Sequence, residues 1–555
     1  MASARTLALV AGFAFVTLAM FVQGVLPTLA PEARSARVSR AVRTELGEVK
    51  WVRYDVADYT PLERRGREVY VREGCWYCHS QYVRSVAGES FRWGPVSEAG
   101  EYAFDQPHLF GTRRIGPDLT RVGGKYGDDW HYAHFWEPRL TAPESIMPAF
   151  PWLFDTVDAP YRQGTSRPEL EPKAELRRFF TMRADRPVTL LVNESGVAFV
   201  RPGRDGFPVD GAPVLDTATL HGGPYRPSGA QSQTPRPIVR LLVPTADAVA
   251  LVRYLQKLGT SRGAWRDAFE AQTVAGGPLR VPDSDAFRDL GREVYEAHCL
   301  GCHGERGDGA GPAATFLFPR PRDFTAGVFK LHSTPSGTLP TDGDLFRTIT
   351  RGVRGTAMPT WHEVSERERL AVVAYVKTFS KRWREEPVET PLQVGAPPPA
   401  TPEMLARGRR LYARAKCAEC HGEEGRGDGP SAATLRDDFE AAIRPSDFTR
   451  GELKGGASVS DVYRAMTVGL SGTPMPSFAD SMTDAERWAI SWYVLSFSAW
   501  TDPLTGERLR LSPGARAALD SPQIRARSPE TAFDPDRRTV TATPRGRRYF
   551  PGVSP

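Results

Sequence analysis

Hydrophobic residues fall into blocks of different character along the chain. From Leu7 to Ala30 they form an apolar run broken only by Gln23 and by small or turn-forming residues. About 20 apolar residues suffice to cross a bilayer, so this run predicts one transmembrane helix in a membrane anchor at residues 1–33. Thr28-Leu29-Ala30 loosely resembles a cleavage site, but the stretch is long for a cleavable signal, which favours a retained anchor. Further on, aliphatic residues recur at helical spacing around Tyr254 in LVRYLQKLG, Tyr375 in VVAYVKTFS and Tyr493 in ISWYVLSFS. Ser365 with Glu368, and Thr483 with Glu486, form capping boxes before the last two. Each of these helices has an upstream companion with a glycine four residues before a tyrosine: Gly66 and Tyr70, Gly291 and Tyr295, Gly408 and Tyr412. Glycine lets two helices approach closely, so the first and last helix of each unit are predicted to cross. In residues of about 186–240, the apolar stretches either side of NESG predict a β-hairpin within an insert. Residues 501–555 are rich in Pro, Arg and Ser without periodicity and read as a disordered basic tail.

The 555 residues leave room for several domains. The net charge of +6 and pI near 9.0 are too mild and dispersed to suggest nucleic-acid binding. The six cysteines change the picture, because all lie in C-x-x-C-H motifs: Cys75 to His79, Cys299 to His303 and Cys417 to His421. This is the haem c attachment signature. Two thiols at that spacing reach both vinyl groups of one porphyrin, and the histidine falls beneath the iron. A zinc site would want two such pairs close together, and these pairs are far apart. The motifs therefore predict three haem c groups, bound covalently by Cys75, Cys78, Cys299, Cys302, Cys417 and Cys420, with His79, His303 and His421 as proximal ligands.

A distal ligand is needed in each unit. Met147, Met358 and Met475 each precede a proline, and they follow their histidines by 68, 55 and 54 residues. That repetition singles them out as axial ligands, giving a six-coordinate His/Met iron with a raised potential. Such haems pass electrons, whereas a peroxidase would need an open or bis-His iron and a sensor would need a signalling domain. His108, His131, His134 and His362 lie near these motifs but are not needed as ligands. The loop Gly116-Pro117-Asp118-Leu119 is the candidate source of a backbone carbonyl partner for the proximal histidine in the first unit, with Pro321 and Pro445 as candidates in the later ones. Arg320, Arg322 and Arg444 are candidate partners for the haem carboxylates. The repeated units are similar to the class I cytochrome c fold. The expected fold is thus mainly α, with three class I cytochrome c domains in tandem after one N-terminal transmembrane helix, at 34–262, 280–385 and 400–500.

From about Tyr59 to Phe154 the chain closely resembles subunit II, the monohaem subunit, of cbb3-type haem-copper oxidases. The matching stretches are GREVYVREGCWYCHSQYVR, AGEYAFDQPHLFGTRRIGPDLTRVGGKYGDDWH and PRLTAPESIMPAFPWL. The remainder resembles the dihaem subunit of the same oxidases. Its two units share CHGERGDGAGPAAT with CHGEEGRGDGPSAAT, PRDFT with PSDFT, and DLFRTITRG with DVYRAMTVG. Two departures stand out: no apolar segment after residue 260 could supply that subunit's own membrane helix, and the 186–240 insert has no counterpart. The resemblance implies an anchored trihaem cytochrome that takes electrons from a periplasmic cytochrome c or other donor. It would pass them to the catalytic subunit of a haem-copper oxygen reductase. A subunit of a nitric oxide reductase-like complex and a stand-alone carrier are the alternatives. Haem c attachment implies a single-pass protein of the bacterial inner membrane with its haem domains in the periplasm, although Arg34, Arg37, Arg40 and Arg43 after the apolar run oppose the positive-inside tendency. Nothing in the chain could itself hold an oxygen-reducing centre.

Overall fold

The computed structural model describes residues 3–497 except 23–35, 44–48, 57, 87–88, 95, 164–167, 194, 204–205, 218–237, 259–278, 280, 362–363, 451–452 and 457. The predicted tail at 501–555 and His362 lie outside the described residues. The first helix, α1 (Ala4–Met20), has 17 residues, capped by Ser3 accepting from the Thr6 amide. At about 1.5 Å per residue it reaches roughly 26 Å, short of a bilayer core of about 30 Å. Among the described residues no helix is long and apolar enough to cross a membrane, which corrects the expected transmembrane helix.

Three units share one plan. Helix α2 (Pro61–Arg72) is capped reciprocally by Thr60 and Glu63. Helix α3 (Asp128–Trp136) follows, and the unit closes with α4 (Ala246–Leu258), which packs across α2. The second unit runs α5 (Asp285–His298), α6 (Asp342–Arg351) and α7 (Glu366–Lys377), with α5 against α7. The third repeats this with α8 (Pro402–Arg414), α9 (Val459–Val468) and α10 (Asp484–Ser496). At each crossing a tyrosine ring meets a tyrosine ring: Tyr70 and Tyr254 at 5.4 Å, Tyr295 and Tyr375 at 5.3 Å, Tyr412 and Tyr493 at 5.4 Å. Five of these six rings are buried and Tyr375 is half-buried, which anchors the crossings because aromatic side chains contribute the largest apolar areas.

The molecule also contains substantial β-structure, so it is not simply mainly α. A hairpin of β1 (Arg37–Arg43) and β2 (Val49–Asp55) precedes α2. A six-stranded mixed sheet interrupts the first unit. Its strands are β3 (Phe154–Gln163), β4 (Pro168–Leu170), β5 (Pro187–Leu191), β6 (Val197–Phe199), β7 (Ala212–Asp216) and β8 (Ile238–Pro244), in the order β5-β7-β4-β3-β8-β6. The long ladder of β3 with β8 is antiparallel, while β5 with β7 and β6 with β8 are parallel. An antiparallel bridge between Val192 and Ala198 joins the two outer strands and nearly closes the sheet. On either side of the NESG segment Val192 and Ala198 pair through this bridge, while β5 and β6 form their ladders with β7 and β8 and not with each other as the predicted hairpin would. Leu176, Phe180, Leu190, Leu215, Val239 and Leu241 fill the interior. Phe199 and Leu242 face the other way, into the core of the first helical unit.

Candidate functional site

Each C-x-x-C-H motif begins where the first helix of its unit ends. In all three, the histidine ring makes a hydrogen bond through Nδ1 to a backbone carbonyl: His79 to Pro117 at 2.8 Å, His303 to Arg322 at 3.1 Å and His421 to Ser446 at 3.3 Å. A carbonyl only accepts, so Nδ1 carries the proton and Nε2 keeps its lone pair for a ligand. Pro117 belongs to the expected loop. In the later units the partner is the residue after the proline, because the carbonyls of Pro321 and Pro445 lie against Gly309 and Gly427. Burial drives the pKa of His303 and of His421 down to about 4 and also lowers that of His79, so the rings are neutral at pH 7. His303 stacks on Phe324 and His421 on Phe448, each at 4.4 Å. The first unit has Gly116 instead; a Cβ there would come within 2.3 Å of His79 Cε1.

The methionine loops of the later units are built alike. Val353 and Leu470 donate their amides to the carbonyls of Met358 and Met475, each at 3.1 Å. The hydroxyls of Thr356 and Thr473 close the same turns by donating to Val353 and Leu470 at 2.7 Å. Met147 packs on the first unit's core with Cys75, and Met475 packs on the third's with Cys417. In the second unit Cys299, Cys302, His303 and Met358 line a single cavity of about 980 Å³. None of the six cysteines forms a disulfide. Burial raises Cys75, Cys299 and Cys302 to about 12 and Cys417 to about 11, so they are held neutral.

The second cavity fits a tetrapyrrole. Leu345, Ile349, Val372 and Val376 offer an apolar wall. Arg320 and Trp361 also line it, and their Nε and Nε1 atoms are buried without a hydrogen-bond partner, as a guest with acceptor oxygens would require. Arg322 faces the same cavity, but Arg444 does not line it; it lies 5.9 Å from the Phe318 ring, beside Arg201. Sequence reasoning missed three lining residues: Trp361, Lys330 and Lys454, the last supplied by the third unit. Trp361 closes the MPTW stretch, and that repeat context could have flagged it; the lysines carry no local signal. It also missed Trp130 of the first unit, which lines the cavity and stacks between Tyr126 at 3.8 Å and His134 at 4.5 Å. His131 is buried in the first unit's core region, His134 bonds Thr141 at 2.7 Å, and His108 stacks on Phe110.

Residues 39–168 match the family described as cytochrome c oxidase, mono-haem subunit/FixO. Residues 287–376 match cbb3-type cytochrome c oxidase subunit III, and residues 405–498 match cytochrome c. No curated protein matches the sequence. A solved chain from the Kuenenia stuttgartiensis reducing HAO-like protein complex is 43% identical over 40% of this chain and all of its own, with a TM-score of 0.38. The shared segments imply haem c and an electron-transfer role. The chain is therefore a cytochrome c fusion of the cbb3-type oxidase families, joining a mono-haem-subunit segment to two further cytochrome c domains.

Proposed function

We propose that this chain is a trihaem electron-transfer subunit of a cbb3-type haem-copper oxygen reductase. It takes electrons from a donor outside the cytoplasm and delivers them to the separate catalytic subunit. The observation that carries the reading is the threefold recurrence of a neutral histidine with Nδ1 donated to a carbonyl beside a C-x-x-C pair. In each unit the two thiols would anchor a haem, with histidine Nε2 and the Sδ of Met147, Met358 or Met475 as axial ligands. Haem c held in this way supplies reversible one-electron exchange. The protein contributes the rest. Carbonyls fix the imidazole orientation, aromatic rings hold the imidazoles of the later units, and apolar walls exclude water.

The family matches support the oxidase as partner, because two of them are oxidase subunits. The first unit, of the mono-haem type, would deliver electrons to the catalytic subunit, and the duplicated later units would receive them. Because thioether attachment takes place outside the bacterial cytoplasm, the haem units belong there.

The test is a count of covalent haem per chain with magnetic circular dichroism of wild type and of Met147→Ala, Met358→Ala and Met475→Ala. Three haems are expected, with one low-spin His/Met signal lost in each variant. Variants that all retain three such signals would overturn the ligand assignment. Co-purification with a haem b- and copper-containing subunit is expected, and isolation with a different catalytic partner would redirect the reading.

A further inference from the structure

Four cations meet at the second unit's cavity, which Glu366 and Glu368 also line. Arg320, Arg322 and Lys330 line it from the second unit and Lys454 from the third. Among the described residues none of the four has a carboxylate within ion-pairing distance. Lys454 is set in place from both sides: its neighbour Leu453 is buried in the third unit's core, and Gly455 approaches Leu331, next to Lys330. The two units are locked nearby. Ser471 Oγ bonds His332 Nε2 at 2.9 Å and accepts from the Gly337 amide at 3.1 Å, and Arg322 lies 5.5 Å from the Phe439 ring.

Drawing cations partly out of water without ion-pair partners is costly, and four half-buried cations around one cavity suit an anionic guest. Burial holds Lys454 and Arg322 below their usual pKa and brings Lys330 down to about 7, with Lys454 and Arg322 adding repulsion. The reading above, on which this inference rests, places a haem with two carboxylates in the cavity. The carboxylates of that guest would meet these cations, although Glu366 and Glu368 also line the cavity and Asp437 acts on both Arg322 and Lys330.

We propose that Lys454 reaches across from the third unit to complete an anion site for the carboxylates of the haem bound at Cys299 and Cys302, and that it raises the reduction potential of that haem. Reduction adds one electron and no other change is required, so a fixed positive charge favours the reduced form. At a separation of about 10 Å and an effective dielectric of about 20, one charge shifts the one-electron equilibrium roughly tenfold. Lys454 is a positioning and potential-setting residue of its neighbour's site.

Spectroelectrochemical titration of the full chain tests this, comparing wild type with Lys454→Met and Lys454→Arg. The second unit's couple is identified as the one displaced in Met358→Ala. In Lys454→Met that couple is expected to lose about tenfold in reduction equilibrium constant, ~59 mV for one electron. The first unit's couple should hold, the third's should move less than the second's because Lys454 also acts on His421, and Lys454→Arg should restore the values. Three unmoved couples, a shift confined to the third unit's couple, or an equal loss in Lys454→Arg would each overturn the proposal. If Lys454→Met fails to retain its haems, Lys454→Gln is read by the same criteria. A wild-type chain without covalent haem defeats the function proposed above, whereas three haems with an unmoved couple defeat only this inference.

Discussion

Gly291 lies against the backbone carbonyl of Ala371 so closely that a Cβ at position 291 would stand 2.1 Å from the oxygen. Gly408 meets Ala489 at the same 2.1 Å, and Gly66 meets Ala250 at 1.9 Å. The obstacle is backbone in each case and cannot rotate away. Gly291→Ala is therefore expected to part α5 from α7 and destabilise the second unit by about 1–3 kcal/mol. Denaturant unfolding of the variant checks this, and a change within about 0.5 kcal/mol of zero would show that the crossing tolerates a wider spacing.

The same helices are tied to their haem motifs by tyrosine hydroxyls. Tyr295 donates to the Gly304 carbonyl at 2.7 Å and Tyr412 to that of Gly422 at 2.9 Å. Phenylalanine at either place leaves a buried carbonyl without its donor. A loss of about 1–2 kcal/mol is expected for each, measured as a fall in melting temperature, with the two losses adding in the double variant because the sites share no partner.

Arg121 and Glu101 form an ion pair with side chains only 2% and 7% exposed. Removing one member takes from the other buried charge its close counter-ion. Glu101→Gln should cost about 3–5 kcal/mol, while Glu101→Gln with Arg121→Met should recover part of that loss. Calorimetry of the three proteins decides the matter, and an additive double variant would contradict the pairing.

His131 gives the chain an acid sensitivity. Burial lowers its pKa from 6.5 to about 4, against the pull of the Asp128 carboxylate, and Nε2 has no hydrogen-bond partner. The folded state keeps the ring neutral, so below pH 6.5 the unfolded state takes up a proton that the folded state refuses. Stability contributed by this group is complete above pH 6.5, drains as the pH falls, and is gone below about 4. The difference amounts to about 3 kcal/mol. His131→Phe should flatten this part of the stability profile between pH 7 and pH 4, and parallel profiles for the two proteins would refute it.

What could be read in the sequence was local. The capping boxes at Ser365 and Thr483 form as their spacing indicates, and the glycine–tyrosine pairs mark the crossings because both residues sit on one helix face. The sheet was hidden because its main ladder joins Phe154 to Pro244, strands separated by the whole insert, and no local pattern links them. Hydrophobicity alone predicts a span from Leu7, but it does not fix helix length, and among the described residues α1 covers only Ala4–Met20. Lys454 was invisible for a third reason: its role depends on how two units dock, which periodicity within either unit does not encode.

The bridge between Val192 and Ala198 has a consequence beyond the module's own shape. An open six-stranded sheet would present two rows of free amides and carbonyls, each a template on which a foreign strand could pair. Drawing β5 and β6 together shortens both rows at once. The described sheet thereby leaves a foreign strand less edge on which to pair.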